Sequence, residues 1–354
     1  MTDPPRTSGR GTERNPENRY ERIHVEPDTA TDDGIGPAPS TVFYRDSSKT
    51  VLAENESPDV GFRFSLNPYR GCEHGCIYCY ARPTHEYLSF SAGLDFERRI
   101  MVKTDVAERL RETLCSPKWE PQTIALSGNT DCYQPAERRL RLTRACLEVF
   151  HELRNPVGVV TKSALVTRDV DLLGDLAADG AAHVFVSVTT LDVDLARQME
   201  PRAATPERRL DAIATLSTAK IPVGVMVAPV IPGLNDSEIP AILARAAQAG
   251  ARSAAWVLLR LPRPVDALFA DWLSQRFPER RTRVLGRIRQ CRDGRLSDAQ
   301  FGRRMRGEGT YAEHIGALFR AAARRHHLER SLPPLDASKF RRPPKRGEQL
   351  RLIW

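Results

Sequence analysis

Three cysteines lie within eight residues of one another, with the spacing Cys72-x3-Cys76-x2-Cys79. Thiolates are the ligands of iron–sulfur clusters, and close spacing lets one loop hold one cluster. A cluster that only transfers electrons normally has four cysteine ligands, but the next cysteines along the chain are the distant Cys115 and Cys132. Three ligands leave one iron with an open coordination position, which is typical of a metal site that performs chemistry. The triplet therefore predicts a [4Fe–4S] cluster with one open iron.

Zinc is the alternative for this triplet, with His74 or His85 as its fourth ligand. Zinc sites usually show two pairs of ligands that are about a dozen or more residues apart, and this chain has one compact group without a second pair. The chain has seven cysteines, and an odd number does not fit a secreted disulfide framework. The pattern therefore favours reduced thiols and an iron–sulfur cluster over zinc.

The apolar pattern indicates the scaffold that must position these thiols. Six short runs rich in β-branched residues alternate with helical patterns, and they lie at 63–66, 123–127, 157–161, 183–188, 221–228 and 254–260. Such runs are typical of parallel strands buried on both faces. Repeated strand–helix units predict an α/β fold, either an open doubly wound sheet or a barrel, and in both of these ligands bind at the carboxyl ends of the strands.

Further elements are predicted around these strands. An extra strand is expected at 99–103 and a helix over 137–153. Thr205 followed by Pro206 predicts the start of another helix, because a capping hydroxyl and a proline at the first helical position suit that end. The segment 235–237 predicts the start of the next.

Charge is unevenly distributed along the chain. The net charge is +8, and residues 261–354 hold 22 Lys or Arg against 10 Asp or Glu, a net +12. A basic region of this kind is typical of proteins that bind nucleic acid or another polyanion, although solvated helix faces in an arginine-rich chain would have the same composition. No apolar run reaches the about 18–20 residues that span a bilayer, and the N-terminus lacks the apolar segment of a secretory signal. The sequence therefore predicts a cytoplasmic protein without a membrane partner.

With Tyr78 directly before the last cysteine, the CxxxCxxC segment resembles the signature of the radical S-adenosylmethionine (SAM) superfamily. The stretches 69–87, 127–137 (SGNTDCYQPAE) and 227–236 (VAPVIPGLND) are similar to the branch related to spore photoproduct lyase, most of whose members have no assigned function. The resemblance implies a partial (β/α)6 barrel. It also implies an enzyme that binds SAM at a [4Fe–4S] cluster and cleaves it reductively to a 5′-deoxyadenosyl radical, which abstracts hydrogen from a substrate. A flavodoxin or ferredoxin is implied as the electron donor.

Composition, which indicates the two tails, and the resemblance, which indicates the barrel, together predict four parts of the chain. Residues 1–40, rich in Pro, Gly and charged residues, form a disordered tail, and 41–262 form the barrel core. Residues 263–334 form a helical extension that covers the barrel, and 335–354 form a basic tail.

The resemblance also implies the residues that contact SAM. Tyr78 would lie near the adenine through its backbone, and Ser127, Gly128 and Asn129 would bind the methionine amino group. Ser187 would meet the ribose or carboxylate, and Arg202 would bind the carboxylate, in competition with Arg197. Further candidates are Lys162 at the barrel mouth and Val227, Pro229 and Val230 beside the adenine. For each there is a structural alternative, and for Ser127, Gly128 and Asn129 it is a turn that ends a strand.

One position departs from the lyase pattern. In the lyase, a cysteine of this second stretch returns a hydrogen atom to the product radical, and the matching residue here is Gly128. Cys132 or Tyr133 could take this role, but a small buried cysteine is the more common situation. Repair of the spore photoproduct itself is therefore disfavoured, while a nucleic-acid substrate stays open.

The segment 301–315 is polar and rich in glycine, and it follows the predicted barrel. One interpretation places Arg303, Arg304, Arg306 and Tyr311 towards the substrate, and the other is a capped surface helix. For the whole chain, the alternatives to an enzyme are a non-enzymatic iron–sulfur electron carrier and a zinc-containing nucleic-acid-binding module.

Overall fold

A seven-stranded sheet forms the centre of the computed structural model, which describes residues 9–12, 14–20 and 40–343. The strands of the chain are β1 (Val42–Arg45), β2 (Leu52–Glu54), β3 (Phe64–Leu66), β4 (Tyr69–Arg70), β5 (Arg99–Val102), β6 (Ile124–Leu126), β7 (Val157–Thr161), β8 (Ala182–Ser187), β9 (Val223–Val230) and β10 (Ser253–Leu258). The order in the large sheet is β10-β9-β8-β7-β6-β3-β2.

Six strands of the large sheet, namely β3, β6, β7, β8, β9 and β10, pair in parallel with their neighbours. At the edge of the sheet, β2 pairs with β3 in the antiparallel direction. The six parallel strands correspond to the six predicted apolar runs, and the partial (β/α)6 barrel is confirmed. The extra strand predicted at 99–103 is β5, which pairs with β1 and β4 in a separate three-stranded sheet.

The helices are α1 (Leu94–Arg98), α2 (Val106–Cys115), α3 (Glu137–Leu140), α4 (Leu142–Leu153), α5 (Val170–Ala178), α6 (Val193–Met199), α7 (Pro206–Thr218), α8 (Ile239–Gln248), α9 (Val265–Arg276), α10 (Pro278–Gln290) and α11 (Thr310–Arg325). Within the described residues, 3₁₀ segments cover Arg82–Leu88, Ala164–Asp169 and Asp236–Glu238. Thr205 caps α7 as predicted, because its side chain accepts a hydrogen bond from the Arg208 N–H. The helix predicted over 137–153 is wrong as one element: Arg141 has φ +54°, and this left-handed residue separates α3 from α4.

The core lies between the sheet and its helices. Alternate residues of the strands, such as Val157 and Val159 of β7 and Val184 and Val186 of β8, are buried in the main cluster with the helices. A second hydrophobic cluster joins α9 and α10 to residues 76–78, which begin at the second cysteine of the triplet and end just before the third. The first two helices after the barrel therefore pack on the region that carries the cysteines.

The last helix, α11, covers the edge strand β10. The ring centroids of Phe319 and Trp256 are 6.0 Å apart, and the Ala254 N–H donates to the Leu328 carbonyl at 3.0 Å. The predicted helical extension is thus present after the barrel, while the exact domain boundaries stay predictions.

Parts of both predicted tails are described. Residues 9–12 and 14–20, here called the N-terminal arm, lie against the segment that carries the cysteines. Residues 335–343 pass the amino ends of β7 and β8, where the Arg341 N–H donates to the Leu153 carbonyl at 2.8 Å and the Asp336 N–H to the Gly180 carbonyl at 3.0 Å. The rest of the predicted tails, 1–8, 13, 21–39 and 344–354, lies outside the described residues. Within the described part of the chain, no helix combines the length and apolar composition needed to cross a bilayer.

Candidate active site

The cysteine loop, residues 71–80, follows β3 and β4 and turns tightly against α1. Gly71 and Gly75 have φ +81° and +68°, a conformation that glycine adopts without a steric penalty. A Cβ on Gly71 would lie 2.9 Å from the Phe96 carbonyl oxygen, and a Cβ on Gly75 would lie 2.7 Å from a Glu97 carboxylate oxygen. Only glycine therefore allows the loop to approach α1 this closely.

The three thiols of this loop are buried or half-buried: Cys72 is 7 % exposed, Cys76 is 8 % exposed and Cys79 is intermediate. Burial raises the pKa of all three thiols. Backbone N–H groups oppose this effect, since that of His74 lies against the Cys72 sulfur and those of Ala81 and Arg82 lie against the Cys79 sulfur. Soft thiolate donors in a dry loop with N–H groups aimed at the sulfurs fit an iron–sulfur cluster.

The two histidines that could each be the fourth ligand of a zinc ion have other partners. His85 lies with Nε2 2.8 Å from the Arg99 carbonyl oxygen, and burial lowers its pKa to about 4. His74 places Nδ1 3.4 Å from an Asp131 carboxylate oxygen. Among the described residues, no three His, Cys, Asp or Glu side chains are grouped so that they could hold one metal ion. In a [4Fe–4S] cluster each cysteine binds a different iron, so its sulfurs need not converge on one point.

A buried ion pair supports the loop from below. Arg82 and Glu97 are both fully buried, and their side chains pair at 2.5 Å. Arg82 also donates to the carbonyls of Cys76, at 2.9 and 3.0 Å, and of Gly93, at 2.8 Å. A buried guanidinium needs all of these acceptors, so it holds the loop backbone in place. No local sequence signal distinguishes Arg82 from an exposed arginine.

The N-terminal arm covers another side of the loop. The Gly11 N–H donates to the Glu97 carboxylate at 3.0 Å, and the Arg14 carbonyl accepts from the Leu94 N–H at 3.0 Å. A Cβ on Gly11 would lie 1.6 Å from the Gly75 carbonyl oxygen. Composition predicts disorder here and does not reveal this contact.

Tyr78 is held by its side chain in a buried network. Its hydroxyl bonds to Glu200, which also pairs with Arg209. Arg209 donates to the Ser187 carbonyl at 3.2 Å, and the Lys162 Nζ lies 5.9 Å from the centre of the Tyr78 ring. The structure thus brings Tyr78, Lys162 and Ser187 together. Sequence reasoning missed Glu200 and Arg209, which resemble any charged pair next to a helix start.

Residues 127–129, the predicted site for the methionine amino group of SAM, lie where β6 ends. Ser127 has φ +81°, and its Oγ accepts from the Cys132 N–H at 2.7 Å. The Gly128 carbonyl accepts from the Tyr80 hydroxyl at 2.8 Å, and a Cβ on Gly128 would lie 2.8 Å from the Ser65 side chain. The Asn129 N–H donates to the Asn67 side chain at 3.0 Å. This is a strand-ending turn that Tyr80 joins to the cysteine loop, and its contact with SAM stays a prediction.

Arg202, predicted for the SAM carboxylate, contacts the cysteine loop. Its guanidinium lies 3.1 Å from the Glu73 carboxylate, and its backbone N–H donates to the His74 carbonyl at 3.3 Å. A SAM carboxylate would have to share the guanidinium with Glu73. The competing Arg197 is 71 % exposed and pairs with Asp194. The apolar candidates Val227, Pro229 and Val230 are buried in β9.

Asp131, which sequence reasoning did not select, joins two strand ends to the loop. It accepts from the Thr161 hydroxyl and from the Lys162 N–H, both at 2.7 Å, and it faces His74. Burial alone would raise the pKa of Asp131, but His74 and these donors outweigh it and hold the pKa at about 2. These contacts therefore favour the ionised form of Asp131 beside the loop.

The two residues that could return a hydrogen atom to a product radical, Cys132 and Tyr133, are buried in the main core. Cys132 is fully buried, and its carbonyl accepts from the Thr143 hydroxyl at 2.6 Å. The Tyr133 hydroxyl donates to the Asp169 carboxylate at 3.1 Å. The interpretation of Cys132 as a small buried side chain agrees with this placement.

In the segment 301–315, the structure gives intramolecular partners to the four residues that one interpretation placed towards the substrate, and their contact with a substrate stays a prediction. Arg304 pairs with Asp59, and Arg306 lies 4.6 Å from the centre of the Trp256 ring and donates to the Trp256 carbonyl. Arg303 pairs with Glu308 at 2.5 Å, and the Tyr311 hydroxyl donates to Asp236 at 2.5 Å. These side chains bind the segment to the rest of the protein.

Comparisons with known proteins agree with this arrangement. The family model described as the radical SAM superfamily matches residues 66–246. An uncharacterised protein of Mycobacterium tuberculosis is 40% identical over 242 residues, which cover 67% of this chain and 71% of that protein. An uncharacterised protein of Methanocaldococcus jannaschii is 29% identical over 184 residues, which cover 52% of this chain and 66% of that protein.

Among solved structures, spore photoproduct lyase complexed with dinucleoside spore photoproduct aligns with a TM-score of 0.56. The two share 16% sequence identity, and the alignment covers 80% of this chain and 79% of the lyase, which shows a common fold. The family match and the 40% identical relative show that this chain is an enzyme of the radical SAM superfamily, in a branch whose curated relatives are uncharacterised.

Proposed function

We propose that Cys72, Cys76 and Cys79 hold a [4Fe–4S] cluster at which the enzyme cleaves SAM, and that the resulting radical abstracts hydrogen from a substrate. The observation that carries this proposal is the cysteine loop, in which two buried thiols and one half-buried thiol share one turn with two positive-φ glycines beside the carboxyl ends of β6, β7 and β8. When bound, the cluster supplies one electron to the sulfonium of SAM, whose C–S bond breaks to give methionine and a 5′-deoxyadenosyl radical.

The residues of this chain would bind and orient SAM. In the turn at 127–129, the Ser127 hydroxyl and the Gly128 carbonyl each accept one hydrogen bond within the protein, and each oxygen has a second lone pair that would suit an ammonium group. Ser187 ends β8 beside the Tyr78 network, where a ribose or carboxylate would lie. A guanidinium offers a fork of donors to a carboxylate, and this supports Arg202 as its ligand.

The packing around the loop supports radical chemistry, because such a site must exclude water and oxygen. Helices α9 and α10 pack on residues 76–78, and the N-terminal arm contacts Gly75. Residues 71–78 are consequently all buried.

Nucleic acid is the substrate class that we propose to test first. Residues 261–354 carry a net +12, and the lyase with the same fold was solved with a dinucleoside photoproduct. Basic surface favours polyanions. Repair of that photoproduct is not proposed, because Gly128 stands where the lyase has its hydrogen-donating cysteine.

Anaerobic reconstitution tests the proposal. The protein is loaded with iron and sulfide, reduced with dithionite and mixed with SAM, and 5′-deoxyadenosine is measured by mass spectrometry. We expect 5′-deoxyadenosine and a SAM-dependent change in the electron paramagnetic resonance spectrum of the cluster. Bound zinc without iron or sulfide, or a cluster spectrum that SAM does not alter, would remove the proposal.

A further inference from the structure

A pocket lies between the cysteine loop and the segments that follow β6, β7 and β8. It is an open cleft with a cavity volume of about 170 Å³. Its lining includes His74, Tyr133, Arg138, Ser163, Arg202 and Arg208. His74 stands between Cys72 and Cys76 in the sequence, so the outer wall of the cysteine loop forms part of this pocket.

The pocket carries uncompensated positive charge. Arg138 and Arg208 are exposed, and neither side chain makes a hydrogen bond or ion pair with any other described residue. The acids close to the pocket are already used: Glu73 pairs with Arg202 and Asp131 faces His74. Glu207, next to Arg208, pairs with Arg245 at 2.8 Å.

The helix α7 adds to this potential. It has 13 residues, begins at Pro206 and is capped by Thr205, which lines the pocket. The first turn of a helix carries a partial positive charge. Three guanidiniums and a helix start therefore face one opening, and this arrangement attracts an anionic partner.

The position of the pocket selects the kind of partner. Its lining contains no residue of β9, β10 or the segments that follow them, and it excludes Tyr80 and Gly128, which join the loop to the end of β6. The pocket is thus separate from the residues proposed for SAM, apart from Arg202. Other sides of the loop are covered by the N-terminal arm and by α9 and α10. His74 lines the pocket and its backbone N–H lies against the Cys72 sulfur, so a single residue connects the pocket to a thiol.

We propose that the pocket is the docking surface for an acidic one-electron donor protein, of the flavodoxin or ferredoxin kind. This inference rests on the proposed cluster. The donor is oxidised by one electron and the cluster is reduced by one, and that electron is the one consumed when the C–S bond of SAM breaks. Complementary charge would act mainly on the rate of association.

Charge reversal of Arg138 and Arg208 tests this docking surface. The variant carries Arg138→Glu and Arg208→Glu, and the control carries Arg325→Glu and Arg330→Glu, which are exposed residues in and after α11. Each reconstituted protein is mixed with reduced flavodoxin in a stopped-flow instrument, and the loss of cluster absorbance gives the reduction rate. Photoreduced deazaflavin, a small molecule that needs no docking surface, provides a second reductant.

We expect the pocket variant to be reduced by flavodoxin about 10-fold or more slowly than wild type at low ionic strength. The difference should shrink at high salt, and the control variant should behave as wild type. Deazaflavin should reduce all three proteins at equal rates.

Equal flavodoxin rates in the pocket variant and the control would overturn the docking surface. So would a matching loss with deazaflavin, because the change would then lie in the cluster. If the pocket variant lost affinity for a single-stranded oligonucleotide and kept its flavodoxin rate, the pocket would be a nucleic-acid site instead. Cluster reduction is followed without SAM, so failure of SAM cleavage would count against the proposed function and not against the docking surface.

Discussion

The cysteine loop and the segment 292–309, here called the arginine segment, are both polar, and both contain glycines with positive φ. They differ in which of their side-chain atoms have partners in the folded protein. In the arginine segment, Arg292 donates to the carbonyls of Leu259, Arg303 and Arg304, and Arg304 itself pairs with Asp59. In the cysteine loop, Glu73 and His74 are paired, but the three thiols form no disulfide within the described chain. Polarity alone therefore does not distinguish the two segments, and the feature particular to the cysteine loop is three free thiols, which are metal-ligand atoms.

The physical cause of this difference is burial. Arg292 is 1 % exposed, and a buried guanidinium costs several kcal/mol unless acceptors surround it. The Gly302 N–H also donates to Asp59 at 2.6 Å, so the segment links the region after β10 to the region before β3. A thiol has weak hydrogen-bonding needs and can be buried without committing its ligand atom.

The largest expected effect comes from the cysteine loop itself. Cys76→Ala should remove the cluster absorbance, most of the bound iron and all detectable SAM cleavage, because one of three ligands is lost. Iron analysis and 5′-deoxyadenosine measurement check this. Cys115→Ala, at the end of α2, is the matched control and should keep both. A Cys76→Ala protein with normal iron and turnover would show that the ligand assignment is wrong.

A second effect concerns the pH dependence of the free energy of unfolding, to which the buried His85 contributes. Burial lowers the pKa of His85 from 6.5 to about 4, so the unfolded chain binds a proton that the folded chain does not. The free energy of unfolding should therefore be highest above about pH 6.5, fall by up to about 3 kcal/mol as the pH drops towards 4, and level off below that. Urea unfolding of the apo protein between pH 4 and 7 measures this.

His85→Gln is the control for the acid effect, since glutamine retains a donor for the Arg99 carbonyl and does not titrate. Its stability should change less over the same pH range. Identical pH profiles for the two proteins would show that His85 is not the group responsible.

A third effect tests the N-terminal arm. Gly11→Val should displace the arm, because its Cβ would overlap the Gly75 carbonyl, and crowding of this kind costs about 1–3 kcal/mol. The cluster absorbance should then decay faster in air. Gly61→Val is the matched control, since a Cβ there would meet no atom within 4 Å among the described residues. Equal decay rates in the two variants would mean that the arm does not protect the cluster.

The smallest effect is expected in the arginine segment. Arg303 is 31% exposed and its partner Glu308 is 48% exposed, and such pairs contribute about 0–1 kcal/mol. Arg303→Gln should therefore lower the free energy of unfolding by less than about 1 kcal/mol and leave the rate of SAM cleavage unchanged. Urea unfolding and 5′-deoxyadenosine formation check this. Reduced substrate turnover with unchanged stability would instead place Arg303 in the substrate site.

Much of the scaffold follows from local sequence pattern. The run predicted at 157–161 is β7 with the same bounds, and α7 begins after Thr205 as predicted. The division at Arg141 was not predictable, because it depends on distant contacts. Glu137 accepts from the Tyr69 hydroxyl, 68 residues away, and from the Thr143 N–H. Local periodicity carries no information about such a pair.

The sequence by itself determined the six strands and the cysteine triplet, because hydrophobic periodicity and ligand spacing are local properties, and resemblance to known motifs indicated the family. Tertiary structure alone decided which charged side chains form ion pairs within the protein. Arg202 reaches Glu73 over 129 residues and Arg304 reaches Asp59 over 245, whereas Arg138 and Arg208 meet no acid in the described chain. The reason is physical: the pairing of a charge depends on which elements the fold brings within a few ångströms, and arginines look alike until the chain has folded.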